Sequence, residues 1–394
     1  MTTTPTAAPA DSAAERLGIR AHSDGPVVPV QTRSEWFRST VHDDFPAVEG
    51  HEAEWKLTPV DKVRDLIDDV LDGGPYPVLY PEVADTVVEW IDRSDARIGS
   101  AGIPEDRAAA NGWTRFEKAL RIAVIGDAEP LVVTRSGIGD SPRAAHVLIE
   151  AAPGSTGLVV LDSQGPAALS ENVEIVVGEG ANLTVVSVQE WDDDSRHLAS
   201  HFAEVGKDGK LTHILVSLGG AIVRVNPSAH LAGEGAEAEM LGVYFSDAGQ
   251  HLEQRVYVHH DAPHTRSRVT YKGALNGEGA RSVWVGDVLI GRDAIGTDSY
   301  EQNRNLVLSD GTRADSIPNL EIETGDIAGA GHASATGRFD DEQLFYLQAR
   351  GIPEDEARRL VVLGFLGEIV QRIAEPQLRD RLLDALEQEL EAAR

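Results

Sequence analysis

The chain has 394 residues, 41% of them apolar, with 65 acidic residues against 35 basic ones and no cysteine. A formal charge of -30 repels nucleic acid and anionic lipid and argues against both as partners. Without cysteine the chain has no disulfide, no thiol nucleophile and no thiolate metal site of its own.

Met1 to Ala10 carries neither a basic start nor an apolar stretch. No run of about 18 apolar residues occurs anywhere, so the expected location is the cytoplasm. Residues 1–30, rich in Ala, Thr, Pro and Ser, bury too little to offset ordering entropy and are expected to form a disordered tail. Residues 31–120 read as an N-terminal helical region. Ser34 can cap a short helix carrying Trp36 and Phe37. A second helix starts at Thr58-Pro59 and places Val63, Leu66, Ile67 and Val70 on one face, ending at Gly73-Gly74-Pro75. A third is expected around Val83, Val87, Val88 and Ile91.

Near Leu120 the period changes. From 121 to 330, short Val-, Ile- and Leu-rich runs alternate with Gly and Asp turns, as in Ile122–Ile125, Leu158–Leu161, Val173–Val177 and Leu183–Val188. Crossover helices are absent, which argues against a doubly wound α/β fold. The corners Gly178-Glu179-Gly180, Gly206-Lys207-Asp208-Gly209 and Gly233-Glu234-Gly235 recur every 27–28 residues. That period fits either stacked coils of a solenoid or a sandwich with regular turns. Residues 331–394 return to helical spacing. Asp340 can cap a helix with Gln343 at its third position and Leu344, Phe345 and Leu347 on its apolar side. Arg350-Gly351 ends it. Two amphipathic helices follow, carrying Leu360, Leu363, Ile369, Val370 and Ile373, then Leu382, Leu383, Leu386 and Leu390. They serve either to cap the β-body or to bind a partner.

No phosphate-binding Gly-Lys loop and no nucleophile elbow is present. Asp192-Asp193-Asp194 reads as a solvated loop. His259, His260, Asp261 and His264 lie within six positions and are competent ligands for iron or zinc. Adjacent residues of a strand face opposite ways, however, so His259 and His260 line one site only across a bulge; one of them can instead lie inside the body, hydrogen-bonded to a turn. His332, in Gly329-Ala330-Gly331-His332, stands where the β-body hands over to the helices, as a structural residue or a ligand.

The run His259-His260-x-Ala262-Pro263-His264-Thr265-x-Ser267, then Tyr271-Lys272-Gly273, resembles the SufB/SufD family of iron–sulfur cluster assembly proteins. So do Thr297-Asp298, Asn303-Arg304-Asn305-Leu306-x-Leu308-Ser309-Asp310-Gly311, Pro318-x-Leu320-Glu321-Ile322, His332-x-Ser334-Ala335-Thr336-Gly337 and Asp341–Ile352. Near the N-terminus, Glu52-x-Glu54-Trp55-Lys56-x-Thr58-Pro59 is similar to a short motif of the same family. Of its two branches, the lack of cysteine and the length make the chain more similar to SufD.

The resemblance implies a mainly β fold, a right-handed parallel β-helix between helical ends. It implies a non-catalytic scaffold subunit of the SufBCD complex rather than an enzyme, supporting iron entry and nascent cluster formation. The implied partners are a SufB-like paralogue, met through the C-terminal end of the β-helix, and a SufC-like ABC-type ATPase, met through the C-terminal helices. A homodimer is an alternative when the paralogue is absent. Iron or a cluster would be shared transiently with SufB, none being held by this chain alone, and His332 is the implied ligand at that interface. A neighbouring cysteine common in the family is replaced here by Ala330-Gly331, which leaves thiolates to the partner. The rival expectation is a β-helix polysaccharide-cleaving enzyme. It would need a carboxylate set repeated along successive coils, and no such set occurs.

Overall fold

The computed structural model describes residues 19–20, 28–29, 36–338 and 341–392. Most of the 1–30 tail, and the caps expected at Ser34 and Asp340, fall outside these residues. Two dipeptide strands, β1 (Ile19–Arg20) and β2 (Val28–Pro29), pair antiparallel. Trp36 and Phe37 lie in chain without regular secondary structure rather than in a helix. The helix expected from Thr58 is reduced to a 3₁₀ turn, Val60–Lys62, and the five-residue α1 (Arg64–Asp68), which buries Leu66 and Ile67.

The segment with Val83, Val87, Val88 and Ile91 is not helical. It contains β3 (Thr86–Asp92), paired antiparallel with β4 (Lys118–Val124) in the register Val88↔Ile122 and Trp90↔Leu120. Two considerations override the helical spacing. Val88 and Trp90 alternate with Glu89, as a strand half-buried on one face requires, and β4 would otherwise be left as an open edge. The pattern also hid α2 (Arg107–Arg115), capped by the Asp106 side chain, which accepts from the Ala109 amide at 2.8 Å.

From β4 the chain coils. In order come β5 (Leu131–Arg135), β6 (Gly139–Ala151), β7 (Thr156–Gly165), β8 (Ala167–Val177), β9 (Asn182–Trp191), β10 (Arg196–Val205), β11 (Lys210–Ser217) and β12 (Ile222–Leu231). They continue as β13 (Glu237–Ser246), β14 (His251–His260), β15 (Arg266–Leu275), β16 (Arg281–Ile290), β17 (Asp298–Val307), β18 (Arg313–Ile322) and β19 (Gly329–Arg338). Even-numbered strands stack into one parallel sheet, extended by the antiparallel β3, and odd-numbered strands into a second. The result is a parallel β-solenoid, not a sandwich. The sequence echo marks its corners. Each of these turns has one left-handed residue, at Gly180, Asp208, Gly235 and His264 in successive coils. Their amides donate to the next turn up: Gly180 to Lys207, Asp208 to Glu234, Gly235 to Pro263 and His264 to Ile295.

The inward faces of both sheets form one apolar core running through the stack. At the N-terminal end Tyr76, Val78, Val88 and Trp90 close it, with the Tyr76 and Trp90 rings edge to face at 5.3 Å. The C-terminal helices do not cap the other end. After α3 (Asp341–Ala349), α4 (Glu354–Val370) and α5 (Pro376–Ala392) lie along the outer face of the odd-numbered sheet. Val362, Leu366, Ile369, Leu382 and Leu386 meet Val160, Val186, Ile214 and Val243 there. This explains why these strands are apolar on both faces.

Leu366 is fully buried in that layer. Leu366→Ala is expected to cost roughly 2–5 kcal/mol and to lower the urea midpoint, while Leu360→Ala at the exposed side stays within about 0.5 kcal/mol. Equal midpoints for the two variants would mean that α4 is not docked on the sheet in solution.

Candidate functional site

The three histidines of the His259–His264 run go to three places. His260 points into the solenoid, fully buried, with Nδ1 2.8 Å from Thr265 Oγ1 and Nε2 2.8 Å from Ser267 Oγ. Both ring nitrogens are engaged, so its role is to tie a turn to the next strand. His264 occupies the left-handed corner position. His259 faces outward and stacks on His230 of the coil below, ring centroids 5.0 Å apart, with Asp261 Oδ2 3.1 Å from His230 Nε2. The three rings do not converge. Among the described residues, no group of three or more His, Asp or Glu is arranged to hold a metal ion. Asp192, Asp193 and Asp194 lie in an exposed turn.

Burial lowers the His260 pKa to about 3, with His259 adding to the effect. A histidine held neutral in the fold but free to protonate when unfolded withdraws stability as pH falls below about 6.5 and continues to do so down to its folded pKa. From about pH 7.5 to about pH 5.2, the stability advantage of wild type over His260→Gln is therefore expected to shrink by roughly 2 kcal/mol, read from urea midpoints. A constant difference would show that His260 is not kept neutral.

The second candidate, His332, stands at the open end of the stack. β18 and β19 are the last strands of their sheets, and every residue from His332 to Arg338 is exposed. In-register stacking puts His332 at the end of one inward-facing column: Leu131, Val159, Val185, His213, Met240, Val269, Glu301, His332. Among the described residues no further coil covers it, and its side chain is 45% exposed. Glu301, one coil below, is 1% exposed, and its Oε1 lies 3.7 Å from His332 Nδ1. Burial, followed by the Asp287 carboxylate, raises the Glu301 pKa to about 8, opposed only by the Asn319 backbone amide.

The asparagines and serines of the end bond to one another. Asn303 and Asn305, also inward, bond to each other at 2.7 Å and to the Tyr244 hydroxyl, which donates to Asn305 Oδ1 at 2.6 Å and accepts from Asn303 Nδ2 at 2.9 Å. Ser316 Oγ donates to Asn303 Oδ1 at 2.9 Å, and Ser334 Oγ to Ser316 Oγ at 2.8 Å. The Asn-x-Asn and His-x-Ser motifs are thus two layers of one polar plug. Sequence reasoning passed over Glu301. Asp298 to Asn305 is polar at nearly every position, so alternation gave no sign of which residues face inward. The signal was Val269, its register partner on the preceding coil.

Fold and site together define a parallel β-solenoid closed at one end and open at the other, where a histidine and a buried carboxylate meet. The family model for the SUF system FeS cluster assembly, SufBD core domain, matches residues 134–365. An iron–sulfur cluster assembly SufBD family protein of Mycobacterium bovis is 47% identical over 370 residues, covering 91% of this chain and 93% of its own. A Mycobacterium leprae protein of the same description is 44% identical over 378 residues, covering 93% and 96%. One from Staphylococcus saprophyticus is 31% identical over 194 residues, covering 49% and 41%. The chain belongs to the SufBD family of iron–sulfur cluster assembly proteins.

Proposed function

We propose that the chain is the SufD-like, non-catalytic scaffold of a cytoplasmic SufB–SufC–SufD complex, and that His332 supplies an iron or cluster ligand at the junction with a SufB-like paralogue. The observation that carries this reading is the open end of the solenoid. It has two strand edges without a strand partner and an exposed histidine on the last one, in a family member that has no cysteine. Unpaired edges favour another strand surface. In this reading the paralogue brings the thiolates, and iron is cargo shared between the chains. A second copy of this chain would use the same edges when the paralogue is absent. The polysaccharide-cleaving alternative is disfavoured by family membership.

The ABC-type ATPase docks in this reading on the C-terminal helices, where Phe345, Tyr346 and Leu360 are 72%, 55% and 40% exposed. Deleting the helices would be a poor test, because they cover the outer sheet. Phe345→Ser with Tyr346→Ser leaves that layer intact and is expected to abolish co-purification of the ATPase; retained binding would refute the docking site. For the other end, His332→Ala is expected to lose cluster assembly in the reconstituted complex while the complex still forms. Assembly at the wild-type rate would refute the ligand role.

A further inference from the structure

A buried carboxylate in this chain normally has partners. Glu171 is ion-paired with Arg135, both fully buried, and has His197 Nε2 at 3.2 Å. Glu174 meets His146 at 2.8 Å and accepts from the Gly99 and Ala101 amides. Glu253 takes Arg224, Arg255 and His251. Glu301 is as buried as these, yet among the described residues neither of its oxygens has a partner at full hydrogen-bond geometry, and only the Asn319 backbone amide acts to favour its charged form. Leaving a buried acceptor unsatisfied is costly and asks for an explanation, a bound ion among them.

The space around Glu301 is shaped for the carboxylate. A Cβ at position 286 would lie 2.4 Å from Glu301 Oε2 and 2.3 Å from the Trp284 ring, so the seat exists because Gly286 has no side chain. Among the described residues, the only ion-pair contact of Glu301 is with the next residue of its column, His332 Nδ1, at 3.7 Å. That distance is too long for a hydrogen bond. Two donors each about 2.1 Å from one tetrahedral ion stand roughly 3.4 Å apart, close to the spacing already present. The half-exposed imidazole lies toward the open end, so an ion arriving there meets His332 first and Glu301 behind it.

We propose that Glu301 and His332 form a two-donor half-site for a divalent transition-metal ion, with carboxylate oxygen and Nδ1 as ligands and the remaining positions left to solvent or a second chain. The proposal rests on the reading of the open end as the iron-handling end, and adds Glu301 to it. A carboxylate and an imidazole suit Fe(II).

The test uses the full-length protein with labelled histidine side chains, titrated anaerobically with Co(II) and followed by NMR of the imidazoles. In the wild type, Co(II) should perturb one exposed imidazole signal, identified by its absence in His332→Ala. In Glu301→Gln the Co(II) affinity at that signal should fall about tenfold or more, with the thermal midpoint undiminished. If Glu301→Gln does not fold, Glu301→Val, which continues the column from Val269, takes its place. Unchanged Co(II) affinity in the folded variant would remove Glu301 from the site and leave the His332 reading standing. No Co(II) effect at His332 in the wild type would overturn the half-site, while the ligand role of His332 in the complex is judged separately by cluster assembly with His332→Ala.

Discussion

A coil in a parallel stack buries its inward side chains only between the coil before it and the coil after it. Everything particular about this chain follows from how its two ends meet that constraint. At the N-terminal end the sequence supplies a lid: β3 pairs with the first coil, and Tyr76 and Trp90 fill the mouth. At the C-terminal end the helices that could serve as a lid are used elsewhere, against the outer face of the odd-numbered sheet. The last coil is therefore built of residues that tolerate water. The column that runs Leu131, Val159, Val185 inside the stack finishes as Glu301 and His332.

The polar end is two different solutions to one problem. Asn303, Asn305, Ser316 and Ser334 satisfy each other and the Tyr244 hydroxyl, so their burial costs little beyond ordering. Glu301 does not join that network, although Asn303 is its neighbour on the same inward face. Among the described residues, Glu171 and Glu253 are paired with arginines and Glu301 is not. The difference separates residues that hold the end together from one that is held ready.

Much of this is legible in the sequence. Gly-rich corners every 27–28 residues coincide with stacked turns because each coil needs one left-handed position at that corner, and Gly180 and Gly235 provide it. The opposite facing of His259 and His260 followed from strand geometry alone. The N-terminal region was less legible. Its elements are short, and the Val-Val-Glu-Trp run near residue 88 satisfies helical and strand spacing alike until the edge of β4 decides. Glu301 is not legible from its own strand, since inward and outward positions of β17 are both polar. Its environment is set by register with Val269 and by the absent side chain at Gly286, both long-range facts.

Position in the chain gives the proposed reading one more consequence. β19 carries His332 and ends at Arg338, and α3 begins at Asp341, with two residues between. The exposed Phe345 and Tyr346 follow within the first turns of that helix. A partner that grips α3 differently in two states thus acts on the strand bearing His332 through a very short tether, without having to deform the packed solenoid. Such an effect requires that the partner's contacts with α3 differ in free energy between those states. The solenoid below, stacked coil on coil and closed at its far end, is the rigid body against which such a movement would be felt. Of the two proposed donors, His332 lies on β19, an edge strand with a neighbour on only one side, and Glu301 lies on β17 beneath it.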